Sequence, residues 1–156
     1  MTLSLSPVFE GSAGSLARLQ QACFPEESWD AAALAEIMAI GSTFGLLAFE
    51  DVVAVGFVLA FDLKGECEIL SLGVLPEMRR RGAARALLAA VCAEARRRGA
   101  GALILEAAID NNAALALYRG LGFTTIACRK RYYRRGQSFV DALVLRLSLD
   151  GASVAT

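Results

Sequence analysis

Arg79-Arg80-Arg81-Gly82-Ala83-Ala84 joins an apolar strand pattern to a long helical pattern, and the architecture can be read outward from this junction. Backbone N–H groups that open a helix form an anion site, and three neighbouring arginines favour a phosphate ester as that anion. Gly82 lets the backbone approach such a ligand closely. A solvated basic helix cap is the alternative interpretation. The stretch has neither the GxxxxGKS/T spacing of a nucleotide P-loop nor the GxGxxG spacing of a dinucleotide site.

The patterns around the junction predict a mixed sheet covered by helices. Two apolar runs, Phe44–Phe49 and Val52–Asp62, are joined by Glu50-Asp51 and predict a hairpin, and a strand at Glu66–Val74 follows it. A helix at Ala83–Arg98 and a buried strand at Ala102–Ala107 imply a parallel crossover. Before these elements, the sequence predicts a strand at Leu3–Val8, a helix at Gly14–Cys23 and a helix that is capped by Asp30 and ends at Ala39. After them, it predicts a short helix that follows Asp110-Asn111-Asn112 and ends at Leu121, and a pair of strands at Thr124–Tyr132 and Phe139–Leu149. The fold class is α/β (α+β), a mixed sheet of about seven strands flanked by four helices.

The composition favours one folded domain. The chain has 156 residues, 56% of them hydrophobic, which suits one core and is too short for two ordinary domains. We expect the domain to span 1–149 and the tail, 150–156, to be disordered. The longest apolar run, Val52 to Phe61, is shorter than the roughly 20 residues of a membrane span. No secretory signal pattern is present at the N-terminus, so a cytoplasmic protein without membrane association is expected.

The four cysteines are scattered, and the chain has no histidine. This composition excludes a Cys/His zinc site and triads that use histidine, and no metal is expected. Cys23, Cys67, Cys92 and Cys128 each lie in an apolar segment, where a reduced thiol behaves as a small hydrophobic group.

The net charge of zero conceals a division between the two halves of the chain. Residues 1–77 carry 11 acidic and two basic residues, a balance of −9, and residues 78–156 carry +9. One interpretation is two faces of opposite sign, with Glu26 and Glu27 attracting a basic peptide. The other is that the halves neutralise each other across one fold.

Two side chains are candidates for acid/base chemistry. Glu106 follows the apolar run Ala102-Leu103-Ile104-Leu105, and a carboxylate desolvated by such a run becomes a better general base. It can equally lie at a solvated strand end. Tyr118 lies on a short aliphatic helix, where its hydroxyl can donate a proton to a leaving group or serve only as part of a core aromatic.

A basic and aromatic segment, Arg129-Lys130-Arg131-Tyr132-Tyr133-Arg134-Arg135, lies in the final strand pair. Such interleaving can bind RNA, and it also suits an exposed hairpin whose tyrosines line a groove. Because the whole chain is neutral, nucleic-acid binding is disfavoured.

Taken together, these segments resemble the GNAT family of acetyl-CoA-dependent N-acetyltransferases over nearly the whole chain. The family motif R/Q-x-x-G-x-G/A is similar to Arg79–Ala84, and Asn111–Tyr118 with Leu121-Gly122-Phe123 is common to many GNAT enzymes. Leu105-Glu106, Tyr118 and Arg131-Tyr132-Tyr133 followed by Asp141-Ala142 resemble the RimI type, which acetylates the N-terminal alanine of a small-subunit ribosomal protein.

The resemblance implies a role for each matching residue. Glu106 is the general base on the substrate's α-ammonium group, and Tyr118 is the acid that protonates the departing CoA thiolate. Acetyl-CoA is the cosubstrate, transfer is direct, and no metal is needed. The implied cofactor-binding residues are Leu72, Gly73, Val74, Arg79, Arg80, Arg81, Gly82, Ala83, Ala84, Arg85, Asn111, Ala114 and Tyr118. The implied substrate-binding residues are Phe24, Trp29, Glu106, Tyr132 and Tyr133.

The resemblance implies that the partner is the N-terminal peptide of a ribosomal protein. It also implies that the enzyme is a monomer. The chain departs from the RimI type in the loop Phe24-Pro25-Glu26-Glu27-Ser28-Trp29, which is longer than the usual Phe-Pro-Trp. Two alternatives stay open: a GNAT enzyme for lysine side chains or small-molecule amines, and a non-catalytic acetyl-CoA-binding module.

Overall fold

A mixed sheet of seven strands forms the centre of the protein, in the order β1-β2-β3-β4-β5-β7-β6. The computed structural model describes residues 2–150, so the predicted tail lies outside the described residues apart from Asp150. The strands are β1 (Leu3–Pro7), β2 (Thr43–Glu50), β3 (Val53–Asp62), β4 (Glu66–Val74), β5 (Ala102–Ala108), β6 (Thr124–Arg135) and β7 (Ser138–Ser148). Only β4 with β5 is a parallel pair, which confirms the predicted crossover.

Four helices cover the two faces of the sheet. They are α1 (Ala13–Cys23), α2 (Ala31–Ala39), α3 (Ala83–Arg97) and α4 (Asn112–Gly120). The apolar stripe of α3, with Leu87 and Val91, shares a buried core with Leu115 of α4. Leu16 of α1 and Leu34 of α2 form a second core on the other face. Within residues 2–150, no helix has the length and apolar character that a membrane crossing requires.

Local capping chemistry sets the starts of two helices. The Asp30 carboxylate accepts the Ala33 N–H at 2.8 Å and begins α2, as predicted. Asn111 does the same for α4, where its Oδ1 accepts the Ala114 N–H at 3.2 Å. A side-chain oxygen at this position satisfies an N–H that the helix itself leaves without an acceptor.

The strands β4 and β5 separate along their length. Their pairing runs only from Glu66↔Ala102 to Glu68↔Ile104. On its other edge β4 has a bulge, because the register with β3 shifts between Ser71 and Ile69. The bulge is tied to α1 by the buried Gln20, whose Nε2 donates to Ser71 Oγ at 2.8 Å. The result is a gap between the carboxyl ends of two neighbouring strands.

The final hairpin is longer than predicted. β6 continues from the predicted end at Tyr132 to Arg135, since its pairing with β7 resumes at Tyr133↔Val140 after the shift that follows Arg129. The hairpin between β2 and β3 turns at Asp51 and Val52 rather than at Glu50-Asp51, because Asp51 adopts a left-handed conformation with φ 54°.

The two oppositely charged halves meet in ion pairs. Arg98 lies 3.5 Å from Asp62, Arg135 lies 3.9 Å from Glu27, and Arg146 lies 3.8 Å from Glu66. These contacts favour the interpretation that the halves neutralise each other across one fold. They also balance the charge of Glu27 within the protein, which weakens the idea that this carboxylate attracts a basic peptide.

Candidate active site

The turn before α3 has the backbone geometry of an anion site. Arg80 and Gly82 are both left-handed, with φ 65° and 87°. Gly82 caps α3, and the first helical hydrogen bond runs from Ala86 N–H to Gly82 O at 3.0 Å. The N–H groups at the start of the helix therefore have no acceptor within the helix. Together with the exposed Arg85, they suit a phosphate group.

Arg79 has a partly structural role that its place in the motif does not reveal. Its Nε donates to the Val74 carbonyl at 3.0 Å, and its guanidinium also contacts the Cys23 thiol. Arg79 thus ties the turn to the end of β4 and to the end of α1. Arg80 and Arg81 are exposed on the same turn.

The end of β4 offers one backbone edge to the gap. Leu72, Gly73 and Val74 pair with β3 on one side, and their other edge lies beyond the paired part of β5. A Cβ on Gly73 would lie 2.8 Å from the Phe57 ring and 2.9 Å from the Cys23 sulfur, so a side chain would push α1 away. An open strand edge that leads to an anion site suits an elongated ligand with an amide chain and a phosphate end.

Glu106 points away from the core shared by α3 and α4. Its neighbours Leu105 and Ala107 are buried in that core, and side chains alternate along a strand. The carboxylate accepts a hydrogen bond from Arg129 Nη1 at 2.6 Å and another from the Tyr132 hydroxyl. The Arg129 guanidinium lies 4.4 Å from the centre of the Tyr132 ring, within cation–π range.

A second carboxylate lies beside Glu106. Glu68 on β4 pairs with Ile104, two residues before Glu106 on the same face of β5. Burial raises the pKa of Glu68, the charge of Glu106 raises it further, and Arg129 acts against both. Nothing in the spacing of the sequence joins these two residues, because they come from different strands.

Tyr118 is buried, as a core aromatic would be. Its side chain is 8% exposed and its ring contacts Phe123 edge to face, with 5.7 Å between the ring centres. Burial raises the pKa of Tyr118 to about 12, so its hydroxyl keeps its proton at neutral pH. Packing in the core and proton donation are therefore compatible in this residue.

Tyr133 interacts electrostatically with both candidates for acid/base chemistry, Glu106 and Tyr118. Burial raises its pKa well above the usual value, and Glu106, Tyr132, Glu27 and Tyr118 add to that rise. The rings of Tyr132 and Tyr133 meet edge to face at 5.1 Å. The structure thus gathers Glu106, Tyr132 and Tyr133 around one place, with Tyr118 on the neighbouring helix.

A carboxylate from β7 holds the irregular part of β6. Asp141 accepts the Arg131 N–H at 2.9 Å and the Lys130 ammonium at 3.3 Å, while Arg131 adopts a left-handed conformation with φ 53°. The Arg131 N–H, followed by the Lys130 side chain, lowers the pKa of Asp141. Asp141 has no local pattern in the sequence that predicts this role, although it lies in the family segment Asp141-Ala142.

The family resemblance assigns Phe24 and Trp29 to substrate binding. In the structure, both side chains are half-buried against the core of α1 and α2. Phe24 ends α1, with its N–H donating to Gln20 O at 2.7 Å. Between them, Glu27 reaches toward Arg135 of the final hairpin.

Two of the residues predicted to bind the cofactor lie at the start of α4. The Oδ1 atom of Asn111 caps the helix, and Ala114 is partly buried against the core.

The described residues hold no group of three or more His, Cys, Asp or Glu side chains placed to bind a metal ion. At the gap between β4 and β5, the structure brings together a carboxylate, a protonated tyrosine and an anion site.

Comparison with known proteins places this arrangement in a family. The acetyltransferase (GNAT) family model matches residues 14–123. Over 42 residues the chain is 52% identical to the N-alpha-acetyltransferase RimI of Mycobacterium tuberculosis, a stretch that covers 27% of this chain and 25% of that relative.

The fold is shared with solved acetyltransferases. The ribosomal-protein-S18-alanine N-acetyltransferase from Escherichia coli superposes with a TM-score of 0.90 at 24% identity, over 97% of each chain. Arabidopsis thaliana NAA60 in complex with acetyl-CoA superposes with a TM-score of 0.84 at 20% identity, over 96% of this chain and 100% of that one. Because the family model covers most of the chain, the protein belongs to the acetyltransferase (GNAT) family.

Proposed function

We propose that this enzyme acetylates the N-terminal α-amino group of a protein, with the N-terminal alanine of a small-subunit ribosomal protein as the preferred substrate. The observation that carries the proposal is the position of Glu106, whose carboxylate lies at the gap between β4 and β5 with Tyr132 and Tyr133 around it. The proposed catalytic domain comprises residues 1–149.

The anion turn and the open edge of β4 fit acetyl-CoA. The N–H groups of 81–84 would hold its pyrophosphate, with Arg80, Arg81 and Arg85 nearby, and the edge of Leu72–Val74 would bind its pantetheine chain. Acetyl-CoA supplies a thioester, whose acetyl group is activated toward an amine.

Glu106 is the proposed general base. It accepts a proton from the substrate's α-ammonium group, directly or through water, and an α-amino group with an ordinary pKa near 8 gives up that proton readily at neutral pH. The amine nitrogen then forms a bond to the acetyl carbon while the bond from that carbon to sulfur breaks, and the nitrogen releases a second proton to solvent to give the neutral amide.

Tyr118 is the proposed acid. The sulfur leaves with the electron pair of its broken bond and receives the proton of the tyrosine hydroxyl. Burial keeps Tyr118 protonated across the neutral range, so a donor is present at the moment of transfer. Tyr132 and Tyr133 would line the channel for the first residues of the peptide, with Phe24 and Trp29 bounding its far side.

Two similarities support a protein N-terminus over other amines. The RimI of Mycobacterium tuberculosis is an N-alpha-acetyltransferase, and the Escherichia coli neighbour is a ribosomal-protein-S18-alanine N-acetyltransferase. A nourseothricin acetyltransferase shares the fold with a TM-score of 0.77, which keeps a small-molecule amine as the second candidate.

Mass spectrometry of the products tests the proposal. The purified protein is incubated with acetyl-CoA and equal amounts of peptides that begin with alanine, serine, glycine or methionine, together with an Nα-blocked lysine peptide and free polyamines. We expect acetyl groups on the α-amino nitrogen, first on the alanine peptide. Acetylation of lysine or polyamine alone would establish the second candidate, and acetyl-CoA binding without any product would establish a non-catalytic module.

A further inference from the structure

We propose that Arg129 is a positioning residue for the reaction: its guanidinium holds the Glu106 carboxylate oriented at the gap until the substrate's ammonium group replaces that contact. The inference rests on the proposed role of Glu106 as the base. It adds a charged residue from β6, an edge strand of the sheet that already contributes Tyr132 and Tyr133 to the site.

The strand register explains how Arg129 reaches Glu106. Arg129 on β6 pairs with Ala142 on β7, and Ala142 in turn pairs with Ala108 on β5, two residues beyond Glu106. The guanidinium must therefore cross β7 at Ala142, a span of about 10 Å between the outer strands. A methyl side chain at this fully buried position leaves room for the long arginine side chain to pass.

The guanidinium has fixed contacts on two sides. Its Nη1 donates to Glu106 Oε1 at 2.6 Å, and its plane lies 4.4 Å from the centre of the Tyr132 ring. The Tyr132 hydroxyl also hydrogen-bonds to the Glu106 carboxylate. Tyr132 follows the segment that Asp141 holds by accepting the Arg131 N–H. Arg129, Tyr132 and Glu106 therefore interact with one another, and these contacts fix the direction in which the Glu106 carboxylate points.

The neighbouring charge gives the arginine its electrostatic role. Burial raises the pKa of Glu68 on β4, and the charge of Glu106 raises it further. Arg129 offsets this repulsion. The other groups near the carboxylate are Tyr132, Tyr133 and Tyr118, which stay neutral near pH 7, and Glu27, which faces Arg135.

The ion pair between Arg129 and Glu106 can also give way to another cation. The Arg129 side chain is 52% exposed, whereas that of Glu106 is 21% exposed. An exposed ion pair contributes little net free energy, so a substrate ammonium group can take the place of the guanidinium without a large penalty. Arg129 then keeps its stacking contact with Tyr132.

The experiment is a carboxyl titration of the ligand-free protein by NMR, with ¹³C-labelled glutamate. Glu106→Gln and Glu68→Gln assign the two signals. We expect Arg129→Gln to raise the titration midpoint of Glu68, because it removes the charge that opposes the rise. Arg129→Lys keeps the charge, so its titration midpoint should stay close to that of the wild type. Arg131→Gln is the matched control, because it removes an arginine of the same hairpin that does not contact Glu106.

Glu68→Gln provides a test that does not depend on changing the arginine. In kinetics with one peptide, we expect Arg129→Gln to move the acid limb of kcat/KM to higher pH and Glu68→Gln to move it to lower pH. The double variant Arg129→Gln/Glu68→Gln should return toward the wild-type profile. An unchanged Glu68 midpoint and an unchanged acid limb in Arg129→Gln, or equal shifts in Arg129→Gln and Arg131→Gln, would overturn the proposal.

The titration is independent of the proposed function. If Glu106→Gln retained full turnover, the role of Glu106 as the base would fail, whereas the coupling of Arg129 with the two carboxylates would still be measured. If the midpoints failed to move while Glu106→Gln abolished turnover, the base would stand and the positioning role of Arg129 would fall.

Discussion

Arg135 binds Asp110 through two parallel hydrogen bonds, from Nε to Oδ2 at 3.2 Å and from Nη2 to Oδ1 at 3.1 Å. Asp110 lies between β5 and α4, and Arg135 lies at the end of β6. The same guanidinium is 3.9 Å from Glu27, in the loop between α1 and α2. One arginine therefore links three segments that surround the proposed peptide channel.

This link predicts a defect in peptide binding. We expect Arg135→Gln to raise the KM for peptide several-fold while kcat and the KM for acetyl-CoA stay near the wild-type values. Stability should change by less than about 1 kcal/mol, since partly exposed ion pairs contribute little. Asp110→Asn should reproduce the effect, and the double variant should add little to it because both changes remove one interaction.

Arg134→Gln is the matched control for that experiment, because Arg134 donates to the Gly136 carbonyl within its own turn. Steady-state kinetics with both substrates decides the matter. An equal rise in KM for Arg134→Gln and Arg135→Gln would show that the charge of the hairpin matters and the link does not.

The proposed acid/base pair predicts separate losses of turnover. Glu106→Gln and Tyr118→Phe should each lower kcat by about 10²-fold or more, with acetyl-CoA affinity nearly unchanged, because both residues act on protons in the transfer step. Rapid-quench kinetics and calorimetric titration with acetyl-CoA measure the two quantities. Normal turnover in both variants would refute the assignment.

The turn before α3 predicts a selective loss of cofactor affinity. Gly82→Ala places a Cβ on a residue with φ 87°, which should cost about 1 kcal/mol of stability and distort the N–H groups of the anion site. We expect a several-fold rise in the KM for acetyl-CoA with little change for peptide. Gly14→Ala, in a helix and with no atom near the added Cβ, is the control that should keep both KM values.

Burial of Tyr118 predicts a dependence of stability on alkaline pH. Its pKa is raised to about 12, while an exposed tyrosine in the unfolded chain titrates near 10. The stabilisation is complete below pH 10 and is lost as the pH rises toward 12, because the unfolded chain releases its proton first. Between pH 8 and pH 11, wild-type protein should lose about 1 kcal/mol more than Tyr118→Phe.

Urea unfolding at the two pH values measures that difference. Tyr132 and Tyr133 are present in both proteins, so their own titration cancels in the comparison. Equal losses of unfolding free energy for wild type and variant would show that the Tyr118 hydroxyl titrates as an exposed group.

Much of the fold was predictable because local patterns and tertiary packing agree. Asp30 and Asn111 cap the helices that their positions predicted, and the predicted strand Glu66–Val74 has the observed bounds. The end of β6 was not predictable, because the strand resumes only after a segment that Asp141 of another strand holds in place. Local sequence contains no signal for a partner that lies 10 residues away across a hairpin.

The candidate site divides in the same way. The sequence indicated the anion turn, Glu106, Tyr118 and the tyrosine pair, since each has a local pattern or a family motif. It gave no partner for Glu106. Arg129 comes from a strand separated from β5 by β7, and Glu68 from a strand on the opposite side.

Sequence by itself established the order of elements, the capped helices, the arginine-glycine turn and the resemblance to an acetyltransferase family, because all of these depend on residues close together in the chain. The tertiary structure decided where β4 and β5 separate, that Glu106 meets Arg129, Tyr132 and Glu68, and that Arg135 joins Asp110 to Glu27. The reason is physical: strand register and sheet order bring distant charged side chains into contact, and those contacts determine where the Glu106 carboxylate points.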